Sequence, residues 1–176
     1  EHFKWLIFDN REVDKKVITA IIQYLDDPNK EVKVSAMKAL GSIGIEDKDA
    51  IAILILYLNG SDQILRKTAI ESLGEIAPNN QNVIDNIVAI LEDPDKTLKI
   101  LGLTALINIT YDPPEGQKTA LAVVNFLKDP NPEVRACAVT YLHYRMKENY
   151  EKVINALINL LEDKENENYV KISTLE

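Results

Sequence analysis

One 21-residue segment recurs four times along this chain. It reads YLDDPNKEVKVSAMKALGSIG at 24–44, YLNGSDQILRKTAIESLGEIA at 57–77, ILEDPDKTLKILGLTALINIT at 90–110 and FLKDPNPEVRACAVTYLHYRM at 126–146. A fifth copy begins at Leu160, so the starts at 24, 57, 90, 126 and 160 lie 33, 33, 36 and 34 residues apart. A period in this range belongs to stacked two-element units, each burying its apolar face only against its neighbours. The repeat constrains the architecture strongly and leaves the function to exposed residues that differ between copies.

Aligning the copies separates the columns by their physics. The segment before each copy carries apolar residues at helical spacing, Val17, Ile18, Ile21, Ile22 and Leu25 in the first and Val83, Ile84, Ile87, Val88 and Leu91 in the third. This is a broad apolar stripe on a helix. A polar turn follows, in which Pro28, Pro94 and Pro130 bias the preceding residue away from helix, so the first helix is predicted to end there. Asn29, Asp62, Asp95 and Asn131 then share one column, and all are N-cap types able to accept from the orphan amides of a new helix. Pro132 follows at the first helical position, where its missing N–H costs nothing. The second helix repeats Val32, Ala36, Leu40 and Ile43 as Leu65, Ala69, Leu73 and Ile76, then Leu98, Gly102, Leu106 and Ile109, then Val134, Ala138, Leu142 and Arg145. The small residue in the second of these columns admits close approach of another helix. Connections such as IEDK and APNN return the chain to the next first helix, and the longer TYDPPEG loop accounts for most of the 36-residue spacing.

The unit is therefore helix, tight turn, helix. Its pattern D-P-x-x-x-V-R-x-x-A-x-x-x-L, closest in DPNPEVRACAVTYL (129–142) and DPNKEVKVSAMKAL (27–40), resembles the HEAT repeat, and specifically the short HEAT-like repeats also found in phycobilin lyases. The resemblance covers about residues 16 to 176 and implies an all-α fold, a right-handed α-solenoid (α-α superhelix) of about five helix-turn-helix repeats. The repeats are predicted at 16–46, 47–79, 80–114, 115–147 and 148–176, in a single array 1–176 with a partial repeat at 1–15 and a truncated last one. Phe3, Leu6 and Ile7 fall in the register of Ala36, Ala39 and Leu40, and VKIST at 170–174 matches VKVSA at 32–36, so both ends read as cut. The start at Glu1 in place of methionine suits a processed or excised chain.

Composition narrows the classes of function. Apolar residues make up 46% of the 176, enough for a continuous core, while aromatics at 6% favour helix packing over a sandwich. Twenty basic against 28 acidic residues give a net charge of −8, which repels phosphate and disfavours nucleic acid or an anionic membrane as partner. The longest apolar run, Ala50–Leu58, is far below the roughly 20 residues needed to span a bilayer. No signal peptide is read, and the single Cys137, expected as a buried small hydrophobe, suits a reducing, cytoplasmic setting.

Catalysis finds little support. His2 lies near a terminus and His143 on a second helix, with neither a metal-ligand spacing nor the His-Glu dipeptide that iron-binding HEAT-like hydroxylases would carry. No enzyme, no metal and no cofactor is expected. The charge feature that stands out is a basic column, Lys33, Arg66, Lys99, Arg135 and the shifted Lys171. The HEAT resemblance implies a structural ladder in which each pairs with a turn acid of a neighbouring unit, Asp27, Asp93, Asp129 or Asp163; Gly60 interrupts the acids in the second copy.

Two surfaces remain as candidate sites. In HEAT-type stacks second helices line the concave side, where Val34, Lys38, Lys67, Glu71, Ile100, Thr104, Ile107, Ala136, Thr140 and Tyr144 are expected to meet a partner. Ile100 and Ile107 are apolar where the first two copies carry Val34 or Lys67, and Gly41 or Gly74, which makes the third repeat the candidate hot spot. On the first helices Ala52 shares a column with Thr19, Asp85, Asn155 and the apolar Leu121, Leu56 one with Gln23, Asn125 and Asn159, and Ile53 one with Asn86, so the three form an outer apolar patch that a second copy of the chain or another domain could cover. The predicted function is non-catalytic: a scaffold binding a protein or peptide along the concave face. Alternatives are an accessory subunit of an enzyme, as the phycobilin-lyase resemblance implies, and a nucleic-acid binder like HEAT-like DNA glycosylases. Self-association through apolar or truncated ends is a further expectation.

Overall fold

The structure, a computed structural model, describes residues 15–44, 46–110, 115–145 and 151–162. The expectations for residues 1–8, Asp163, Lys171 and 170–174 lie outside them. The described residues belong to two compact units, one ending at Ile76 and one beginning at Ala77.

In the first unit the order is α1 (Lys15–Gln23), α2 (Lys30–Ile43), α3 (Lys48–Leu58) and α4 (Gln63–Ile76). First helix packs on second, α1 on α2 and α3 on α4, and second helix packs on second, α2 on α4. The four-column stripe forms the core: Ala36, Leu40, Ala69, Leu73 and Ile76 are buried, joined by Leu54 and Leu58 from α3. Small residues bring α2 and α4 together. A Cβ added at Gly41 would lie 2.9 Å from the Ser72 Cα, and the Ser72 hydroxyl donates to the Met37 carbonyl at 2.9 Å.

The second unit runs α5 (Gln81–Ile90), α6 (Lys96–Ile109), α7 (Glu115–Val124), α8 (Pro132–Arg145) and α9 (Glu151–Glu162). Again α5 packs on α6, α7 on α8, α6 on α8 and α7 on α9. Gly102 belongs to the small column, and a Cβ there would meet the end of the Leu91 side chain at 3.0 Å and Ile87 Cγ2 at 3.5 Å. In the register of Gly41 and Ser72, α6 and α8 carry Ile107 and the fully buried Tyr141. The Tyr141 hydroxyl lies 3.2 Å from Thr110 Oγ1, which itself donates to the Leu106 carbonyl.

Helix starts follow local chemistry. Asn29 accepts from the Glu31 amide, Asp62 from Ile64 and Leu65, Asp95 from Thr97, and Asn131 from Glu133 and Val134. Helix ends differ from the prediction. α1 stops at Gln23 and α7 at Val124, and each continues as a 3₁₀ turn, Tyr24–Asp26 and Asn125–Lys128, before its proline. Tightening to 3₁₀ satisfies late carbonyls that an α-turn would leave open.

The short connections do more than return the chain. Asp47 in IEDK and Asn80 in APNN are N-caps, Asp47 accepting from Asp49 and Ala50 and Asn80 from Val83. Their neighbours Glu46 and Asn79 adopt positive φ, 61° and 53°. Each donates its backbone N–H to the end of the next second helix, Glu46 to the Ile76 carbonyl at 2.8 Å and Asn79 to that of Ile109 at 2.6 Å. A cross-repeat hydrogen bond thus recurs at a 33-residue spacing.

Candidate protein-binding face

All ten candidate contact residues on the second helices are accessible. Lys38, Glu71, Thr104, Ala136, Thr140 and Tyr144 are exposed, and Val34, Lys67, Ile100 and Ile107 are half-buried. The two units present different chemistry. In the first, α2 and α4 expose Lys38, Glu71 and Glu75. In the second, α6 has no charged residue from Ile100 to its end, and α8 has no carboxylate, Lys or Arg from Ala136 to Tyr144. The polar atoms on this stretch are largely self-satisfied. Thr104 Oγ1 donates to the Ile100 carbonyl at 2.9 Å and Thr140 Oγ1 to that of Ala136 at 3.0 Å. A threonine bonded to its own preceding turn has its donor occupied by its own helix. Tyr144 remains 53% exposed and meets the His143 ring edge-on at 5.6 Å. Ile107 occupies the register of Gly41, whose side faces the neighbouring second helix, so it belongs nearer the α6–α8 seam than the open surface.

The basic column divides into different roles. Lys99 donates from Nζ to Asp129 Oδ2 of the next copy at 2.7 Å, with the two side chains only 18% and 5% exposed, and its ammonium sits 5.7 Å from the Phe126 ring centroid. Arg135 donates to the carbonyls of Asp129 (2.8 Å) and Pro130 (3.1 Å), and Arg66 Nε to that of Leu58 (3.1 Å). These three bind turn backbone or a turn acid. For Lys33 the structure shows no such contact among the described residues, so its place in the ladder gains no support. Burial would push the Asp129 carboxyl up, but hydrogen bonds from Lys99 and the Asn131 amide and the charges of Lys99 and Arg135 outweigh it and hold it below the usual carboxylate range.

The turn acids have a second task that the sequence reading missed. Asp27, Asp93 and Asp129 each accept, through Oδ1, the N–H of the N-cap residue two positions on, at 2.7, 2.9 and 2.8 Å. The signal was present as an Asp two residues before the N-caps Asn29, Asp95 and Asn131, the spacing of an Asx turn. A further lysine set ties neighbouring copies within each unit at the helix starts: Lys30 pairs with Asp62 and Lys96 with Glu133, while Lys15–Asp49 and Lys118–Asp85 join first helices.

On α3, Leu56 is 68% exposed, Ala52 is exposed and Ile53 half-buried, so the outer apolar patch is open to solvent. The expectation of a buried thiol is corrected. Cys137 is half-buried, since it lies one position from the exposed Ala136 and one from the buried Ala138; burial and then Glu133 push its thiol pKa up. His143 is exposed, and His2 lies outside the described residues. No cluster of three His, Cys, Asp or Glu among the described residues could hold a metal ion. An open cleft of about 440 Å³ lies at Pro94, Lys96, Lys99 and the Asp129–Pro132 turn, and neither Cys137, His143 nor Tyr144 lines it. No described helix is long and apolar enough to cross a membrane.

Two-helix units at a period near 33, packed second helix on second helix, define an all-α repeat solenoid. The chain belongs to the HEAT-repeat family, whose model (HEAT repeats) matches residues 18–107 and again 84–176. Among solved structures it is similar to a designed armadillo repeat protein in complex with the peptide (KR)4, at 20% identity and a TM-score of 0.63, covering 87% of this chain and 77% of that one. A second designed armadillo repeat protein matches at 23% identity and a TM-score of 0.59, over 83% of this chain and 75% of that one. An engineered protein matches at 22% identity and 0.61, over 92% and 79%. At these identities the likeness establishes the fold. No curated protein matches the chain.

Proposed function

We propose that this chain is a non-catalytic interaction module that binds another protein or peptide along its second helices, with α6 and α8 as the principal contact. The observation that carries this reading is the uncharged stretch on those helices, Ile100, Thr104, Ala136, Thr140 and Tyr144, in a chain with 27% charged residues. A rigid row of helices loses little conformational entropy on binding, and an aromatic beside aliphatic and methyl groups is the composition of an interface centre. The designed armadillo protein was solved with (KR)4, a basic peptide. The α6–α8 stretch offers no carboxylate to such a peptide, so the segment it receives is uncharged and apolar. Lys99 and Arg135 are engaged by their own turns, which weighs against a phosphate-binding groove.

The test is affinity capture from the source cell with the full-length gene product, comparing wild type, Ile100→Asp on the proposed face and Leu56→Asp on α3. A partner retained by wild type and Leu56→Asp and lost with Ile100→Asp supports the reading, provided circular dichroism shows both variants folded. A partner set indifferent to Ile100→Asp removes it.

A further inference from the structure

In the second unit one carboxylate serves two donors. Asp129 takes the Lys99 ammonium on Oδ2 (2.7 Å) and the Asn131 backbone N–H on Oδ1 (2.8 Å). In the second copy the residue at this position is Gly60, and the residues standing where Lys99 and Asn131 stand are Lys33, from the copy before, and Asp62. Both donors are present and their shared acceptor is not. Among the described residues the Lys33 ammonium meets no carboxylate and the Asp62 N–H meets no acceptor, whereas the equivalent N–H groups of Asn29, Asp95 and Asn131 all have one. Lys33 and Asp62 are half-buried and Gly60 is exposed, so the niche that the repeat register assigns to the missing acid opens to solvent. The Asp62 carboxylate does not fill it. Its Oδ1 accepts from the Ile64 and Leu65 amides and its Oδ2 is held by Lys30.

We propose that a carboxylate side chain of a partner protein occupies this niche, completing from outside the rung that Asp129 completes from within. The carboxylate receives the Lys33 ammonium on one oxygen and the Asp62 N–H on the other, a pair of charge-assisted contacts. This rests on the reading of the chain as an interaction module. It lies in the other unit and uses opposite chemistry to the α6–α8 stretch, so Ile100→Asp leaves it intact and the two can fail separately.

The experiment follows the Asp62 amide resonance in ¹⁵N-labelled full chain at low ionic strength, titrated with a hexaglutamate peptide and separately with acetate. Wild type is expected to show a saturable shift at Asp62 with hexaglutamate. Lys33→Met weakens it about tenfold, the loss of one charge-assisted hydrogen bond. Gly60→Asp abolishes it, because the chain then supplies its own acid, while Gly60→Ala retains it. Gly60 does not have positive φ, so its backbone conformation suits aspartate, and the Tyr57 carbonyl, 3.2 Å from the added Cβ, must give by a few tenths of an ångström. An unmoved Asp62 resonance in wild type, or an undiminished shift in Gly60→Asp, overturns the proposal. A response to acetate without one to hexaglutamate also overturns it, since the site would then take small anions only.

Discussion

Asp129→Asn isolates the charge in the buried rung from its geometry. The amide oxygen can still accept the Asn131 N–H, so the Asx turn survives, but the amide nitrogen then faces the Lys99 ammonium, donor against donor. A charge-assisted hydrogen bond contributes about 1.5–3 kcal/mol, and removing one partner of a fully buried pair costs about 3–5 kcal/mol. Lys99 keeps 18% exposure, so its ammonium can swing toward water at the sacrifice of its contact with the Phe126 ring. The expected loss is therefore nearer the lower range, about 2 kcal/mol in urea unfolding at pH 7. The pH dependence fixes the cause. The folded pKa of Asp129 is depressed, so the native state binds fewer protons than the unfolded one, and the stabilisation is present above the unfolded value of about 3.9. It is lost as pH falls through the folded value. The gap between wild type and Asp129→Asn should hold from pH 7 to about 5 and close below about 4. A gap under about 0.5 kcal/mol at pH 7, or one unchanged in acid, would refute the charge argument. A double-mutant cycle with Lys99→Met adds an independent check, because additive effects would mean that no pair exists.

Two glycines predict opposite tolerance. Gly41→Ala gains about 1 kcal/mol of helix propensity but drives a Cβ into the Ser72 Cα, which is backbone and cannot yield, so a net loss of about 1–2 kcal/mol is expected in chemical denaturation. Gly102→Ala meets the mobile end of Leu91 and should fall within about 1 kcal/mol of wild type; equal losses at both sites would contradict the packing described. Glu46 sits at φ 61°, which costs a side-chain-bearing residue roughly 1 kcal/mol, so Glu46→Gly should raise the melting temperature while the backbone bond to Ile76 persists. A lowered melting temperature would mean that the Glu46 side chain contributes more than its backbone strain costs.

What could be read from the sequence was local chemistry repeated in register. The caps at Asn29, Asp62, Asp95 and Asn131 were legible because an N-cap depends on one side chain and the two or three amides after it. Asp47 and Asn80 obey the same rule at the same spacing, and went unread because their connections looked like simple returns. The Gly41 and Gly102 contacts were not legible in this way. Both are helical glycines, yet one faces the neighbouring second helix and the other its own first helix, and only the partner atoms decide which substitution is tolerated. The positive φ of Glu46 was hidden for a related reason, its N–H reaching a carbonyl left open at the end of the next second helix.

The candidate site follows the same division, with a refinement at Gly60. Columns that agree between copies build the stack, so variable columns are where a partner is sought, and Ile100, Thr104, Thr140 and Tyr144 are of this kind. A conserved chemical role can also become a binding feature where a single copy breaks it. Asp129 and Asp93 show what the turn acid does for the fold, and Gly60 removes that acid while leaving Lys33 and the Asp62 amide in place. The position opens to solvent, so the Lys33 ammonium can stay hydrated and losing the internal acid costs the fold little, while both donors remain available to a carboxylate from another molecule.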